Sequence, residues 1–385
     1  MYRDSYVLID TSIIKNNIEQ IIKNYNDYKY YIGVVKGNCY GHGMGVIKVM
    51  EKSGINYFSV ATIEEALEVR KYTKKPILIL EPVNINYLDI CSKNHFSITV
   101  ANFDYYKELL KIKTKLNIHI ALNTGMNRIG IKNKDNLEEM YNYLINSKAN
   151  NNLHLEGLFT HFATTGILDD YYKKQLDNFY NLTENIDLKK IDIVHLGRST
   201  TLENHPHIKG TNGIRLGAIM YGIRTGQFNY SGLKGKLRKL KHEYRQSKLD
   251  IQLIDSSNLD IKYAFNLIGK VVDIQDLNDL DRVGYGATYQ VEGDNKKIAV
   301  IELGYSDGLD LRYKGLLVEI NNKKYPIVGT VCMGMILILV DDVVSLGDTV
   351  YVIKENITEV ARHVGTTQYV IMTGINKEVR REYKY

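Results

Sequence analysis

The sequence has few of the residues that build disulfide frameworks, zinc sites or membrane spans. Tryptophan is absent, and cysteine occurs only at positions 39, 91 and 332 of the 385 residues. Three scattered thiols are too few for a disulfide framework or a zinc site. No apolar run approaches the ~20 residues that a membrane span needs, and the N-terminal MYRDSYVLID lacks the layout of a signal peptide. These absences predict a cytoplasmic protein.

The length of 385 residues suits two domains, or one barrel with an appendage, and composition and charge are those of a globular protein. Hydrophobic residues make up 44% and charged residues 24% of the chain, and its formal net charge is +6. Basic residues are dispersed except in 234–248, KGKLRKLKHEYRQSK. Such a run is usually a solvated helix or loop, so we expect neither nucleic acid nor a membrane as a partner.

Apolar, β-branched runs alternate with helix-period segments from residue 30 to about 222. One such segment, ATIEEALEVRKY, opens with a capping box formed by Thr62 and Glu65. Another, DDYYKKQLDNFYNLTENI, repeats its apolar residues at helical spacing. Strands that are apolar on both faces and alternate with helices are typical of a parallel sheet, and eight of them predict a (β/α)8 barrel. The predicted strands cover 30–36, 57–61, 76–80, 96–101, 117–123, 153–162, 191–197 and 214–222.

The pattern changes after residue 222. Residues 223–262 are irregular and partly basic. From residue 265, short β-branched segments are separated by turn residues, and one short helix is predicted near 358–365. The sequence therefore predicts the α/β fold class, with an N-terminal (β/α)8 TIM-like barrel and a C-terminal mostly-β domain. We expect the domains to cover 1–240 and 241–385.

Polar residues follow several of the predicted barrel strands. The active site of such a barrel forms from the carboxyl ends of its strands and the loops after them. Here those ends supply an amine, a histidine, an arginine and a nest of backbone N–H groups that suits a phosphate. A lysine facing a phosphate-bearing aldehyde suggests pyridoxal 5'-phosphate (PLP), although a lone lysine at a strand end is more often a solvated group. The residues concerned are Lys36, His161, Ser199, Arg215, Gly217 and Ala218.

The segments around these residues resemble the alanine racemase family. VVKGNCYGHG, at 34–43, is similar to the cofactor segment of that family, and the resemblance extends from about residue 6 to residue 381. It implies a homodimer with active sites at the subunit interface. Further segments that match in the same order are FSVATIEEALEVRK, NTGMNRIG, LFTHFATT with QLDNF, HLGRST, IRLGAIMYG, VGYGATY, ELGYSDG and PIVGTVCM.

The resemblance implies a role for each matching residue. Lys36 would carry the cofactor as a Schiff base, and Tyr285 would reach into the barrel of the other subunit as the second acid/base. Arg128 would bind the substrate carboxylate together with the backbone N–H of Met333, and Tyr305 would line the entrance. Arg215 would face the pyridine nitrogen. The residues that would hold PLP are Lys36, Tyr40, His161, Ser199, Arg215, Gly217 and Ala218.

Racemisation must remove a proton from one face of Cα and return one to the opposite face. An amine and a phenol could do this, and because their free pKa values are about 10, the site must lower them. The leading prediction is a PLP-dependent racemase that interconverts L- and D-alanine, which in a bacterium would supply the cell wall. The alternatives are a racemase of another small amino acid such as serine, a non-catalytic PLP-binding protein and a fold-related decarboxylase.

Departures from the usual family pattern leave the substrate open. Ala121 stands where a lysine that steadies the carboxylate-binding arginine is common, so the anion partner of Arg128 is undefined. Without the family pattern, Tyr285 would be expected only to pack at a strand end, and His161 to be a core histidine. The other departures are Asn123 for Asp, Arg198 for Asn, Gly334 for Asp, a longer segment at 223–262, and a C-terminal TGINKEVRREY in which Asn376 or Lys377 takes the place of a tyrosine that often binds phosphate.

Overall fold

The computed structural model describes residues 3–147, 152–224, 232–248, 253, 259–294 and 296–385. The chain forms two compact units. The barrel unit contains Lys15–Lys36 and Ile47–Lys262, and the β unit contains Met1–Ile14, Gly37–Val46 and Tyr263–Tyr385. The domain boundary expected between residues 240 and 241 stays a prediction.

Eight parallel strands close into a barrel in the first unit, which confirms the predicted fold class. Each strand pairs with the next along the chain, and Gly213–Leu216 completes the circle by pairing with Tyr30–Val34. Because all strands run in the same direction, their carboxyl ends lie at one rim. The strands are Tyr30–Val34, Tyr57–Val60, Ile77–Ile79, Phe96–Val100, Leu116–Ala121, Leu153–Phe159, Ile193–Arg198 and Gly213–Leu216.

The buried part of the barrel contains both apolar and polar side chains. Ile32, Leu78 and Ile193 pack together with the ring of Tyr57, as suits β-branched and aromatic residues in strands. Polar side chains of the same strands are also fully buried, and each needs a partner because an unpaired buried polar group costs about 1–3 kcal/mol. These buried polar residues include Ser97, Thr99, His119, His195 and Arg215.

Helices connect the barrel strands, and their starts follow local sequence signals. The Thr62 hydroxyl accepts the N–H of Glu65 at 3.4 Å, while the Glu65 carboxylate accepts the N–H of Ala61 at 2.8 Å. In the described part of the chain, no helix combines the length and apolarity needed to cross a bilayer. The α-helices are Thr11–Asn24, Ile47–Lys52, Ile63–Arg70, Leu88–Lys93, Phe103–Leu109, Lys134–Asn146, Tyr171–Leu182, Ser199–Asn204, Gly232–Gln246, Ile357–Val364 and Gln368–Gly374.

The second unit is built on an eight-stranded sheet, as the predicted mostly-β domain requires. Phe265–Leu277 pairs with both Thr349–Ile353 and Lys296–Ile301, so the sheet curls back on itself. A two-stranded ladder joins Arg282–Val283 to Tyr289–Gln290. In order across the sheet the strands are Lys296–Ile301, Ile336–Val340, Lys323–Val328, Leu317–Ile320, Thr349–Ile353, Phe265–Leu277, Tyr6–Asp10 and Arg380–Lys384.

The N-terminal strand belongs to the sheet of the β unit. Tyr6–Asp10 pairs antiparallel with Phe265–Leu277 and parallel with Arg380–Lys384. This strand was not among those predicted from the sequence. The helix predicted near 358–365 is present as Ile357–Val364, and it is followed by a second helix, Gln368–Gly374, that the sequence patterns did not reveal.

The chain turns left-handed directly after Lys36. Residues 37–40 have φ between 52° and 63°, so three non-glycine residues in succession adopt a conformation that costs roughly 1–2 kcal/mol each. Gly41 follows at φ 81°, and a Cβ there would lie 2.1 Å from the carbonyl oxygen of Met372. The glycine is therefore required twice, by its backbone angle and by the close approach of the helix Gln368–Gly374.

We predict that Gly41→Ala destabilises the protein more than Gly365→Ala. Gly365 has φ 70° but open space around its missing Cβ, so its substitution costs only the backbone strain, about 1 kcal/mol. At Gly41 the clash with Met372 should lower the free energy of unfolding by a further ~1–3 kcal/mol, the usual cost of overpacking. Thermal unfolding of both variants measures the difference. Equal melting temperatures would contradict the close packing described here.

Candidate active site

The barrel rim collects the polar residues that the sequence singled out on the barrel unit. Lys36 lies just beyond the end of Tyr30–Val34, and His161 lies two residues after Leu153–Phe159. Ser199 directly follows Ile193–Arg198, and Gly217 directly follows Gly213–Leu216. Since these are carboxyl ends of parallel strands in one closed barrel, the four residues share one rim.

The guanidinium of Arg215 is buried and lies among backbone carbonyl groups of neighbouring strands. It donates to the carbonyl oxygens of His195 at 2.6 Å, Leu196 at 2.9 Å and Thr160 at 2.6 Å. It also lies 3.2 Å from Nδ1 of His161. Burial, with the nearby charges of Arg198 and Arg128, lowers the pKa of Arg215 to about 9, so the group remains a cation at neutral pH.

A chain of buried side chains connects Arg215 to Glu156. Arg215 donates to Nδ1 of His195 at 2.7 Å, Nε2 of His195 lies 3.0 Å from Nδ1 of His119, and Nε2 of His119 lies 3.0 Å from Oε2 of Glu156. The hydroxyl groups of Tyr57 and Ser97 bond to the same carboxylate oxygen. The sequence analysis did not predict this hydrogen-bonded series of side chains.

The two ends of this chain fix the position of every proton in it. Arginine only donates, so Nδ1 of His195 must accept and its Nε2 must carry the proton. That proton points to Nδ1 of His119, whose Nε2–H then donates to Glu156. Burial alone would raise the pKa of Glu156, but the hydrogen bonds it accepts, beginning with that of His119, hold it at about 2. The hydrogen bonds therefore join an anion to a cation through the imidazoles of His195 and His119.

His161 is also held in its neutral form. Burial, followed by the positive charge of Arg215, lowers the pKa of the His161 imidazole well below 6.5. Because Arg215 donates to Nδ1, the proton of His161 lies on Nε2. A neutral ring with a fixed tautomer can pack against a flat cofactor without bringing another charge.

Lys36 has the properties of a nucleophilic amine. Burial and, after it, the positive charge of Arg128 lower the pKa of Lys36, with Glu81 and Glu65 acting in the opposite direction. A lower pKa increases the uncharged fraction at neutral pH, and only the uncharged amine can attack a carbonyl or accept a proton. The charge of Arg215 acts on Lys36 in the same direction as Arg128.

Ser199 and the residues after the last strand form a cradle of small groups. The hydroxyl of Ser199 accepts the N–H of Gly217 at 3.2 Å, and both residues are buried. Ala218 begins a short 3-10 turn that ends at Tyr221. A hydroxyl and backbone N–H groups placed together suit an anionic ligand such as a phosphate.

Arg128 lies on a loop that is shaped by Asn123. The Asn123 Oδ1 accepts the N–H groups of Gly125 at 3.2 Å and Asn127 at 3.0 Å, an arrangement that a carboxylate would also make. Asn123 can therefore accept the same N–H groups as an Asp would, and its Nδ2 also donates to Oδ1 of Asn127 at 3.3 Å. Arg128 is exposed and forms no side-chain hydrogen bond or ion pair with any residue that the structure describes. Ala121 is buried in the neighbouring strand.

Three predicted site residues lie on the surface of the β unit. Tyr285 is 72% exposed, and Tyr305 and Met333 are exposed as well. Tyr305 and Met333 are neighbours, because the N–H of Tyr305 donates to Cys332 and that of Ser306 donates to Met333. Thr330 in the same segment donates to the carbonyl oxygen of Tyr285 at 2.9 Å. All three side chains, two phenols and one thioether, are therefore open to a partner or ligand.

Backbone conformation holds Tyr285 outward. Gly284 and Gly286 on either side of it have φ of 73° and 70°, and a Cβ on Gly284 would lie 3.3 Å from the backbone of Thr330. Tyr40, also in the β unit, follows the left-handed turn and has its ring centre 6.0 Å from that of Tyr369. The predicted role of Tyr40 at a cofactor phosphate stays a prediction.

Comparison with known proteins identifies the family. The family model described as "Alanine racemase, N-terminal domain" matches residues 9–225, and the one described as "Alanine racemase, C-terminal domain" matches residues 264–383. The alanine racemase of Ligilactobacillus salivarius is 33% identical over 397 aligned positions, which cover 100% of this chain and 99% of the relative. This chain belongs to the alanine racemase family.

Solved structures of alanine racemases share the whole fold. The enzyme from E. faecalis superimposes with a TM-score of 0.85 at 28% identity, covering 100% of this chain and 99% of that one. The enzyme from Bacillus anthracis with bound L-Ala-P superimposes with a TM-score of 0.83 at 29% identity, and the match covers 100% of this chain and 96% of that one. The family is PLP-dependent, and the cradle and amine of this member lie on its barrel rim.

The buried chain from Arg215 to Glu156 yields a prediction for nuclear magnetic resonance. At pH 6, His195 should be neutral with its proton on Nε2, because burial and the charge of Arg215 lower the pKa of His195 well below 6.5, and Nδ1 of His119 should accept the hydrogen bond of that proton. Nitrogen-15 spectra of labelled protein measure both the charge and the tautomer. A protonated Nδ1 on either ring would contradict the assignment.

Variants at Glu156 provide the matched control. Glu156→Gln keeps an oxygen that accepts from His119, so both tautomers should persist. Glu156→Leu leaves the His119 N–H buried without an acceptor, and the free energy of unfolding should fall by about 1–3 kcal/mol more than in Glu156→Gln.

Proposed function

We propose that this member of the alanine racemase family interconverts L- and D-alanine with PLP as its cofactor. The observation that carries the proposal is the amine of Lys36, whose pKa is lowered by burial and by Arg128, at the barrel rim that also bears the Ser199 cradle. A lowered pKa makes the uncharged amine more abundant, and the uncharged amine can both hold an aldehyde cofactor and accept a proton from Cα.

The residues present fit PLP. Ser199 and the backbone of Gly217 and Ala218 would bind the phosphate, with Tyr40 as a further donor. Neutral His161 would lie against the ring, and Arg215 would offer an N–H to the pyridine nitrogen. Because arginine keeps its proton, that nitrogen would receive a hydrogen bond and no proton.

When bound, PLP supplies a conjugated electron sink for the charge left on Cα after proton removal. The residues of this chain do the remainder of the work. Lys36 would accept or return the Cα proton at Nζ on one face. By leaving the pyridine nitrogen unprotonated, Arg215 would favour return of the proton to Cα over side reactions such as transamination.

The opposite face needs a second acid/base, and Tyr285 is the candidate. Its phenol is exposed on the β unit, which suits a side chain that completes a site on another copy of the chain. We therefore propose a homodimer in which Tyr285 of each subunit enters the barrel of the other.

Substrate binding would depend on Arg128. Since it has no anionic partner among the described residues, its guanidinium is available to a substrate carboxylate, which the N–H of Met333 would also bind. Buried Ala121 leaves Arg128 without the lysine that often steadies it, so serine or another small amino acid stays an alternative substrate. Alanine and serine carry the same carboxylate, so exposed Arg128 could bind either one.

The remaining predictions rest on family resemblance. We infer a cytoplasmic location and a role in supplying D-alanine to a bacterial cell wall. A non-catalytic PLP-binding protein and a decarboxylase on a related fold are less favoured, because the chain matches the racemase family in both its N- and C-terminal parts.

A panel of L- and D-amino acids, followed by chiral chromatography, tests the proposal. We predict racemisation of alanine in both directions, with serine slower, and incorporation of solvent deuterium at Cα. Lys36→Ala should lose activity by at least about 1,000-fold and lose the visible absorbance of lysine-held PLP. Bound PLP without Cα exchange in the unsubstituted protein would favour the non-catalytic alternative, and release of carbon dioxide would favour the decarboxylase.

A further inference from the structure

The helix Gly232–Gln246 exposes an apolar stripe to solvent. Four large apolar side chains recur along it at intervals of four, three and four residues, which places them on one face. Their exposed fractions range from 63% to 83%. They are Leu233, Leu237, Leu240 and Tyr244. The helix lies within 223–262, the segment that is longer than the family resemblance leads one to expect.

The apolar stripe faces away from the barrel unit. Gly235 is buried and Gln246 is half-buried, and Gln246 donates to the carbonyl oxygen of Ile167 at 3.1 Å. At 3.6 residues per turn, Gly235 and Gln246 lie about 180° around the helix from the stripe. A surface helix of a globular protein normally turns its apolar face to the core. This helix has the reverse orientation.

Basic residues border the stripe on both sides. Residues 232–248 contain five lysines and two arginines but only one glutamate, a formal charge of +6 that equals the net charge of the whole chain. The rest of the protein is therefore formally neutral. Glu243 lies 3.7 Å from Lys239, and the Lys248 ammonium lies over the ring of Tyr244.

We propose that this helix docks on the surface of a bilayer rich in anionic phospholipid. The leucines and Tyr244 would enter the boundary between headgroups and acyl chains, and the flanking lysines would extend to the phosphate groups. The helix would lie flat, because its opposite face is attached to the barrel unit. Such peripheral binding needs no membrane span.

Charge and shape favour this occupant over the others. A second copy of the helix would bring two charges of +6 together, which repel. A partner protein that encloses the helix in a groove would have to cover the face that carries Gly235 and Gln246, and that face already packs against the barrel unit. Nucleic acid would use the lysines but leave the leucines in water. The composition of 234–248 predicted a solvated helix without a membrane partner. The structure adds the exposed apolar stripe, which a helix that is merely solvated does not need.

Vesicle sedimentation with the PLP-loaded enzyme tests the proposal. We expect binding to vesicles of equal parts phosphatidylcholine and phosphatidylglycerol at low salt, little binding to phosphatidylcholine alone, and release at high salt. The double variant Leu237→Gln/Leu240→Gln should abolish binding although it keeps every charge. The triple variant Lys236→Gln/Lys239→Gln/Lys241→Gln should weaken the partition coefficient on the order of 100-fold.

Matched control variants lie elsewhere on the surface. Leu311→Gln/Leu346→Gln replaces two other exposed leucines, and Lys71→Gln/Lys107→Gln/Lys111→Gln removes three other exposed lysines. Both should bind vesicles like the unsubstituted enzyme, and racemase activity in all four variants shows that each is folded. Failure to bind anionic vesicles would overturn the proposal. So would a smaller oligomer in the leucine variant, because the stripe would then be an interface between copies.

Discussion

The hydrogen bonds of Arg215 are the interaction on which the barrel site depends. One buried guanidinium binds carbonyl groups that follow or belong to the two preceding strands, at Thr160, His195 and Leu196. Removing it would leave several acceptors buried without a donor, each a loss of about 1–3 kcal/mol. The same contacts hold the donor group at the rim beside His161. Structural order and the proposed electronic role at the pyridine nitrogen therefore have one cause.

A buried cation needs an anion, and Glu156 supplies it at a distance. The imidazoles of His195 and His119 transmit the interaction as oriented dipoles, since each accepts on Nδ1 and donates from Nε2. This arrangement leaves the rim itself positive, with Lys36, Arg128 and Arg215 near one another. A positive rim lowers the pKa of an amine and attracts both a phosphate and a carboxylate, which are the anionic groups of PLP and an amino acid.

The sequence predicted the barrel because eight apolar strands that alternate with helices are compatible with few other folds. The motifs around Lys36, Ser199 and Arg215 indicated which residues lie at its rim. It did not reveal the chain through His119 and Glu156. Their polarity within apolar strands was a signal, but one sequence does not say which polar residues of different strands face each other across a barrel. The strand Tyr6–Asp10 was missed for a similar reason, since its partners lie more than 250 residues away. The basic run 234–248 showed its charge plainly, whereas the outward direction of its leucines depends on which face packs against the body.

The proposed reaction requires one proton-transfer group on each face of Cα, and the two candidates differ in setting. Lys36 is half-buried on the barrel unit, and Tyr285 is exposed on the β unit. Mixing two inactive variants tests directly whether they act from different subunits. Lys36→Ala and Tyr285→Phe, unfolded and refolded together, should form mixed dimers with one intact site and recover about a quarter of the unsubstituted activity (half of the dimers are mixed, and half of their sites intact). Recovery of no activity from dimers shown to be mixed would contradict the account.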